Sequence, residues 1–76
     1  MIFNKLLEIF ERTMPQVRKE EIKMDSVLTT DLGVDSLNMM LLAISVEDTF
    51  GIQFEPGAKL ETVSDICNYV EEKTAA

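Results

Sequence analysis

Asp31-Leu32-Gly33-Val34-Asp35-Ser36-Leu37 is the stretch around which this 76-residue chain is organised. It is a turn that runs directly into the most apolar helical segment of the molecule, Leu37 to Phe50. Gly33 supplies the backbone freedom a sharp turn needs, and either Asp35 or Ser36 offers the side-chain oxygen that caps the first free amides of a helix. One serine hydroxyl therefore stands at a helix N-terminus. The amides there point outward with partial positive charge, so an anion attached to Ser36 sits in favourable surroundings. A phosphate-linked group on this serine is physically reasonable.

Downstream of the turn, eight of the ten positions from Leu37 to Val46 are apolar, more than a single helical stripe can hold. Met39, Ala43, Val46 and Phe50, with Leu42 beside them, form one stripe, assigned to the core. Leu37, Leu41 and Ile44 form a second, beginning next to Ser36. Exposed, this second stripe is a docking patch for enzymes that must reach the serine; covered by the long loop and a short third helix, it is ordinary core. Gly51 follows as the left-handed terminator. Pro56 suits the first turn of a short helix through Leu60, which Gly57 weakens. Thr62 and Asp65 stand at capping-box spacing, and Val63, Ile66 and Val70 then recur toward the core with Tyr69 at the edge. Cys67 reads as a small buried or half-buried hydrophobe, because no neighbouring cation in the sequence would lower its pKa.

Upstream, Phe3, Leu6, Leu7, Phe10, Met14 and Val17 recur at helical spacing with Ile2 and Ile9 flanking, while Asn4, Lys5, Glu8, Glu11 and Arg12 fall on the other side. Pro15 ends this amphipathic helix near Thr13. From Pro15 to Asp35 the periodicity weakens, yet Val17, Ile22, Met24, Val27, Leu28, Leu32 and Val34 are too many apolar residues for a free linker. They pin a long loop across the bundle, with a short helical turn around Arg18 to Ile22. The aspartates at 25, 31 and 35 do not make an EF-hand: with Gly33 as its central glycine, the first ligand position falls on Leu28, which has no oxygen to offer.

The fold expected is all-α, a small bundle of three main helices plus one short helix, with a long loop between helices one and two, and residues 1–76 forming a single domain. A chain this short holds one core and a net stability of ~3–5 kcal/mol. Hydrophobic content of 46% beside 28% charged residues is that of a globular protein. The formal charge is -7, from 14 acidic and 7 basic residues. Five basic residues, Lys5, Arg12, Arg18, Lys19 and Lys23, lie in the first third. From residue 24 onward only Lys59 and Lys73 face ten acids. This distribution argues against nucleic acid and for steering toward basic protein surfaces, or for a solvated acidic surface that keeps the protein soluble. With no histidine and one cysteine, a disulfide framework and a Cys/His zinc site are excluded within one chain. Asn4, Lys5 and Glu8 interrupt any apolar run long enough for a signal peptide or a membrane span, so no membrane insertion is expected, and a reducing cytoplasm fits best.

Asp-Ser-Leu preceded by Asp-Leu-Gly-Val, at mid-chain in an acidic, helix-patterned sequence of this size, resembles the acyl carrier proteins. The likeness covers nearly the whole chain, from the amphipathic first helix and the long loop to Phe50-Gly51-Ile52 and Val63-Ser64-Asp65-Ile66. It implies an acyl-carrier-like domain in which Ser36 carries 4'-phosphopantetheine, received from coenzyme A through a phosphopantetheinyl transferase. The terminal thiol of that arm would hold acyl intermediates as thioesters and deliver them to acyl-loading and acyl-processing enzymes of fatty-acid, polyketide or related synthesis. Asp35 would cap the helix and also help the transferase bind its metal and coenzyme A. The partner-facing residues would be Leu37, Asn38, Leu41, Ile44, Glu47 and Asp48, on a monomer. One departure stands out: fatty-acid carriers of this type have acidic residues soon after the serine, where this chain has Asn38 and Leu41. That points to partners that recognise a more apolar helix.

A catalytic serine needs a base, usually histidine, and the chain has none; nor does a Ser-x-x-Lys spacing occur at Ser36. Ser36 is therefore read as another enzyme's substrate, and the chain as no enzyme. An aminoacyl or peptidyl carrier is the nearest alternative. A non-enzymatic helical adaptor, binding through the apolar second helix with Ser36 only a cap, is the other. The adaptor predicts that Ser36→Ala costs about 1 kcal/mol and leaves partner binding intact.

Overall fold

A computed structural model describes residues 2–75. Three helices carry the structure: α1 (Ile2–Thr13), α2 (Ser36–Phe50) and α3 (Val63–Thr74), with a single 3-10 turn at Lys19–Glu21 in the long first loop. Among the described residues there is no strand, only one isolated antiparallel bridge between Val27 and Thr62. None of these helices is long and apolar enough to cross a membrane. The all-α bundle with its long first connection is the expected architecture.

α1 packs against both other helices. It does so through Leu6, Ile9 and Phe10, all fully buried, with Met14 sealing the stripe just past the helix end. Ile9, placed at the flank by spacing, is thus central, while Phe3 and Leu7 are half-buried edges. α2 supplies Leu42 and Val46, and α3 supplies Val63, Ile66, Cys67 and Val70. Met39, Ala43 and Phe50 are half-buried, so the core face of α2 is centred on Leu42 and Val46.

The long loop is fastened by its backbone. Leu28 N donates to Glu61 O (2.8 Å), Val63 N to Ser26 O (3.0 Å) and Ser64 N to Met24 O (2.8 Å), which ties residues 24–28 to the start of α3. Ile22, Leu28, Leu32 and Val34 are buried beneath it, as expected for a pinned loop; Met24 is 42% exposed and contributes its carbonyl rather than its side chain. At the start of α3 the capping box is complete: Asp65 N donates to Thr62 Oγ1 (3.2 Å), and Asp65 Oδ2 accepts from Thr62 N (3.0 Å) and also from Glu61 N (2.9 Å).

The short helix expected over Pro56–Leu60 is not formed; the chain makes one turn there, with Ala58 N donating to Glu55 O (3.0 Å). Side chains from distant positions hold the three residues just before it, Gln53 to Glu55. Phe54 N donates to Glu47 Oε2 (2.8 Å), Glu55 N to the Tyr69 hydroxyl (2.9 Å), and that hydroxyl donates to Gln53 O (3.2 Å). Phe54 stacks obliquely on Tyr69 at 4.9 Å, and Lys73 Nζ reaches Glu55 Oε1 at 2.9 Å. Two backbone amides and a carbonyl of residues 53–55 are thus engaged by side chains up to the edge of Pro56, and Gly57 disfavours helix beyond it.

Candidate functional site

The turn before Ser36 is built in layers. Asp31 Oδ2 accepts from Val27 N (2.8 Å) while Asp31 N donates to Val27 O (2.9 Å), closing residues 27–31 on themselves. Val34 N then donates to Leu28 O (2.9 Å), and the side chains of Leu28, Leu32 and Val34 are buried below. Gly33 takes φ 67°, left-handed, with open space where a Cβ would stand, so conformation rather than crowding demands glycine there. A rigid, packed turn thus delivers the chain to Asp35. Asp31 is a fastener of this turn, a role its carboxylate did not advertise in the sequence.

Of the two possible caps, Asp35 is the one used: its Oδ1 accepts from Asn38 N (2.8 Å), and Met39 N makes the first helical bond to Asp35 O (2.8 Å). Ser36 is the first residue of α2, exposed, and its hydroxyl makes no hydrogen bond among the described residues. The amides of Ser36 and Leu37 are likewise without a partner there, as the opening of a helix requires. An open cleft of about 500 Å³ lies against the serine, lined by Thr29, Val34, Asp35, Ser36 and Met39.

The second stripe of α2 is exposed. Leu37 is 64%, Leu41 43% and Ile44 52% accessible, and Met40 at 60% belongs with them. Positions 37, 40, 41 and 44 are one helical row; the i+3 step from Leu37 was the signal that would have found Met40. Asn38 is half-buried beside the cap. Asp48 is exposed at the far end of the row. Glu47 is half-buried, and one of its carboxylate oxygens holds the Phe54 amide, so its first role lies inside the fold. Gly51, at φ 68°, closes the helix as expected.

Cys67 is buried, and burial, with the Glu71 charge adding to it, pushes its thiol pKa up, which makes it a poor nucleophile. No group of three or more histidine, cysteine, aspartate or glutamate side chains among the described residues is placed to hold a metal.

A family model described as the phosphopantetheine attachment site matches residues 4–70. The acyl carrier protein of Coprothermobacter proteolyticus is 42% identical over 72 residues, spanning 92% of this chain and 87% of that one. That of Chloroherpeton thalassium is 48% identical over 59 residues, 75% of this chain and 74% of its own. The acyl carrier protein of Clostridium acetobutylicum is 34% identical over 76 residues, 97% of both chains. With a family model over residues 4–70 and relatives matched nearly end to end, the chain belongs to the acyl carrier protein family.

Proposed function

We propose that Ser36 is the residue to which phosphopantetheine is attached, and that the chain carries acyl groups from that position to enzymes that load and process them. One observation carries the reading: Asp35 caps α2 and leaves the Ser36 hydroxyl unengaged and exposed at the helix N-terminus. The residues present fit the group. A phosphodiester on Ser36 Oγ would lie at the positive end of a 15-residue helix, where the amides of Ser36 and Leu37 have no partner among the described residues. The neighbouring cleft offers apolar walls from Val34 and Met39 and the Thr29 hydroxyl, suited to an uncharged amide-bearing chain. When bound, phosphopantetheine supplies a thiol that holds an acyl group as a thioester.

The chain's own residues hold and present. The turn fastened by Asp31 and the buried Leu28, Leu32 and Val34 keeps Ser36 in one place. Asp35 fixes the start of α2 and is the carboxylate nearest in sequence for a transferase's metal ion. Leu37, Asn38, Leu41, Ile44, Glu47 and Asp48, joined by Met40, make up the partner-facing set, Glu47 with one carboxylate oxygen already on the Phe54 amide. The acidic surface, net -7, keeps one copy from another and supports a monomer. A single buried thiol suits a reducing compartment such as the cytoplasm.

The test is intact mass after incubation with coenzyme A, magnesium and a broad-specificity phosphopantetheinyl transferase, with Ser36→Ala alongside. A gain of one phosphopantetheine on the parent and none on the variant is expected. Equal gain on the variant would move the attachment elsewhere, and no gain on a folded parent would favour the adaptor reading.

A further inference from the structure

We infer that Thr29 is a positioning residue for the arm: its hydroxyl holds the uncharged part of phosphopantetheine against Val34 and Met39, on the side of Ser36 turned away from the exposed row of α2. This rests on Ser36 being the loaded residue. The cleft that Ser36 itself lines is the first support. It measures about 500 Å³, its other walls being Thr29, Val34, Asp35 and Met39, and it falls within the size range of ligand sites. None of these side chains is a cation, and Asp35 is an anion. A phosphodiester inside the cleft would be unpaired and repelled, so the phosphate stays at the helix amides and only the neutral chain beyond it enters. That chain carries two methyl groups on its second carbon, then a hydroxyl and two amides. Val34 and Met39 offer the apolar walls for the methyl groups, and Thr29 offers a donor to the oxygens that follow.

The way Thr29 is held is the second support. Asp31 closes residues 27–31 at both ends, accepting from Val27 N on its Oδ2 (2.8 Å) and donating its own amide to Val27 O (2.9 Å). Thr29 stands in the middle of this closed turn, exposed, with a hydroxyl that makes no hydrogen bond among the described residues. With the backbone fixed and the hydroxyl free, little ordering opposes a bond to the arm. The helix settles the side. At about 100° per residue, Met39 stands about 60° to one side of Ser36, whereas Leu37, Met40, Leu41 and Ile44 all stand to the other. Met39 is half-buried and these four are exposed, so an arm held by Thr29 leaves the row bare.

The test loads three isotope-labelled chains, the parent, Thr29→Val and Thr29→Ser, with unlabelled phosphopantetheine and reads nuclear Overhauser contacts from the two methyl groups of the arm. Valine keeps the shape of Thr29 and removes its donor; serine keeps the donor. In the parent the contacts run to the Val34 and Met39 methyls. One neutral hydrogen bond changes a ratio of held to free arm by roughly 2- to 12-fold, so Thr29→Val weakens these contacts by ~2-fold or more and Thr29→Ser keeps them. Before loading, all three chains melt within ~4 °C of one another, because the hydroxyl holds nothing in the fold. Contacts to Leu37 or Met40 in place of Val34 and Met39, contacts indifferent to Thr29→Val, or a serine variant as weak as valine overturns the inference. The two readings fail separately. Loading at Ser36 with an arm that touches neither Val34 nor Met39 sinks only the role of Thr29, whereas a folded parent that takes up no phosphopantetheine, or takes it up elsewhere, sinks the attachment and this role with it.

Discussion

Asp35 holds two roles that a pair of substitutions can separate. Its structural role is one hydrogen bond, Asn38 N to Oδ1 at 2.8 Å, at an exposed helix start. Removing such a cap costs about 1 kcal/mol, and loss of a negative charge at the positive end of the helix adds ~0.3–0.5 kcal/mol at an exposed site. Asp35→Ala therefore loses ~1–1.5 kcal/mol, whereas Asp35→Asn keeps a good capping oxygen and loses only the ~0.3–0.5 kcal/mol of charge. For a domain of this size each kcal/mol moves Tm by ~4–8 °C, so alanine lowers Tm by ~4–12 °C and asparagine by ~1–4 °C. Thermal unfolding followed at 222 nm reads both. The loading rate with coenzyme A, magnesium and a transferase then reads the second role on the asparagine variant, whose helix start is intact. If the carboxylate helps bind the transferase's metal ion, Asp35→Asn loads at least ~100-fold more slowly while melting close to the parent. An alanine variant as stable as asparagine would show that the hydrogen bond contributes nothing and refute the capping argument. Loading of Asp35→Asn at the parent's rate would confine Asp35 to the fold.

Two further outcomes follow from charge. The Asp65 carboxylate is held below its ordinary range, first by the Thr62 amide and then by that of Glu61; its stabilisation is complete above the unfolded value, near ~4, and is lost as pH falls through the lower folded value. Tm of the parent therefore drops on acidification below pH ~4, and Asp65→Asn, measured on the same pH series, drops less steeply. With ten acids against two bases from residue 24 onward, raising sodium chloride from about 0.02 to about 0.2 M, or adding magnesium, raises Tm by a few degrees, on the order of 2–5 °C; an unchanged Tm would show that the acids do not strain the fold.

What could be read from the sequence was what lies within a turn or two of itself. Pro15 stops α1 at Thr13, Gly51 closes α2 at a left-handed residue, and Thr62 with Asp65 opens α3, because each of these signals acts on backbone groups three or four residues away. The segment at Pro56–Leu60 was misread for the opposite reason. The residues that lead into it, 53–55, are held by Glu47, Tyr69 and Lys73, between 7 and 18 residues distant from the groups they bind, and no local pattern announces such anchors. Glu47 shows the cost at the site: by spacing it is a surface acid, and only the folded chain brings the Phe54 amide to it.

α2 was ambiguous for a different reason. Leu37, Leu41 and Ile44 are as apolar as Met39, Val46 and Phe50, so composition cannot choose which stripe is core; α1, packing over Leu42 and Val46, makes the choice and leaves the row with Met40 outside. The same folding decision bears on Ser36. Had the serine been the cap, as the sequence left open, its hydroxyl would be spent on a backbone amide, and Ser36→Ala would cost about 1 kcal/mol. Because Asp35 takes that bond, the exposed hydroxyl contributes nothing that alanine, a better helix former, would not match, and Ser36→Ala should melt within about 0.5 kcal/mol of the parent. A serine at a helix start where it stabilises nothing is a serine available for chemistry. The variant that loses all loading at unchanged Tm separates attachment site from structural cap, and a clear destabilisation would return Ser36 to the fold and weaken the case for its modification.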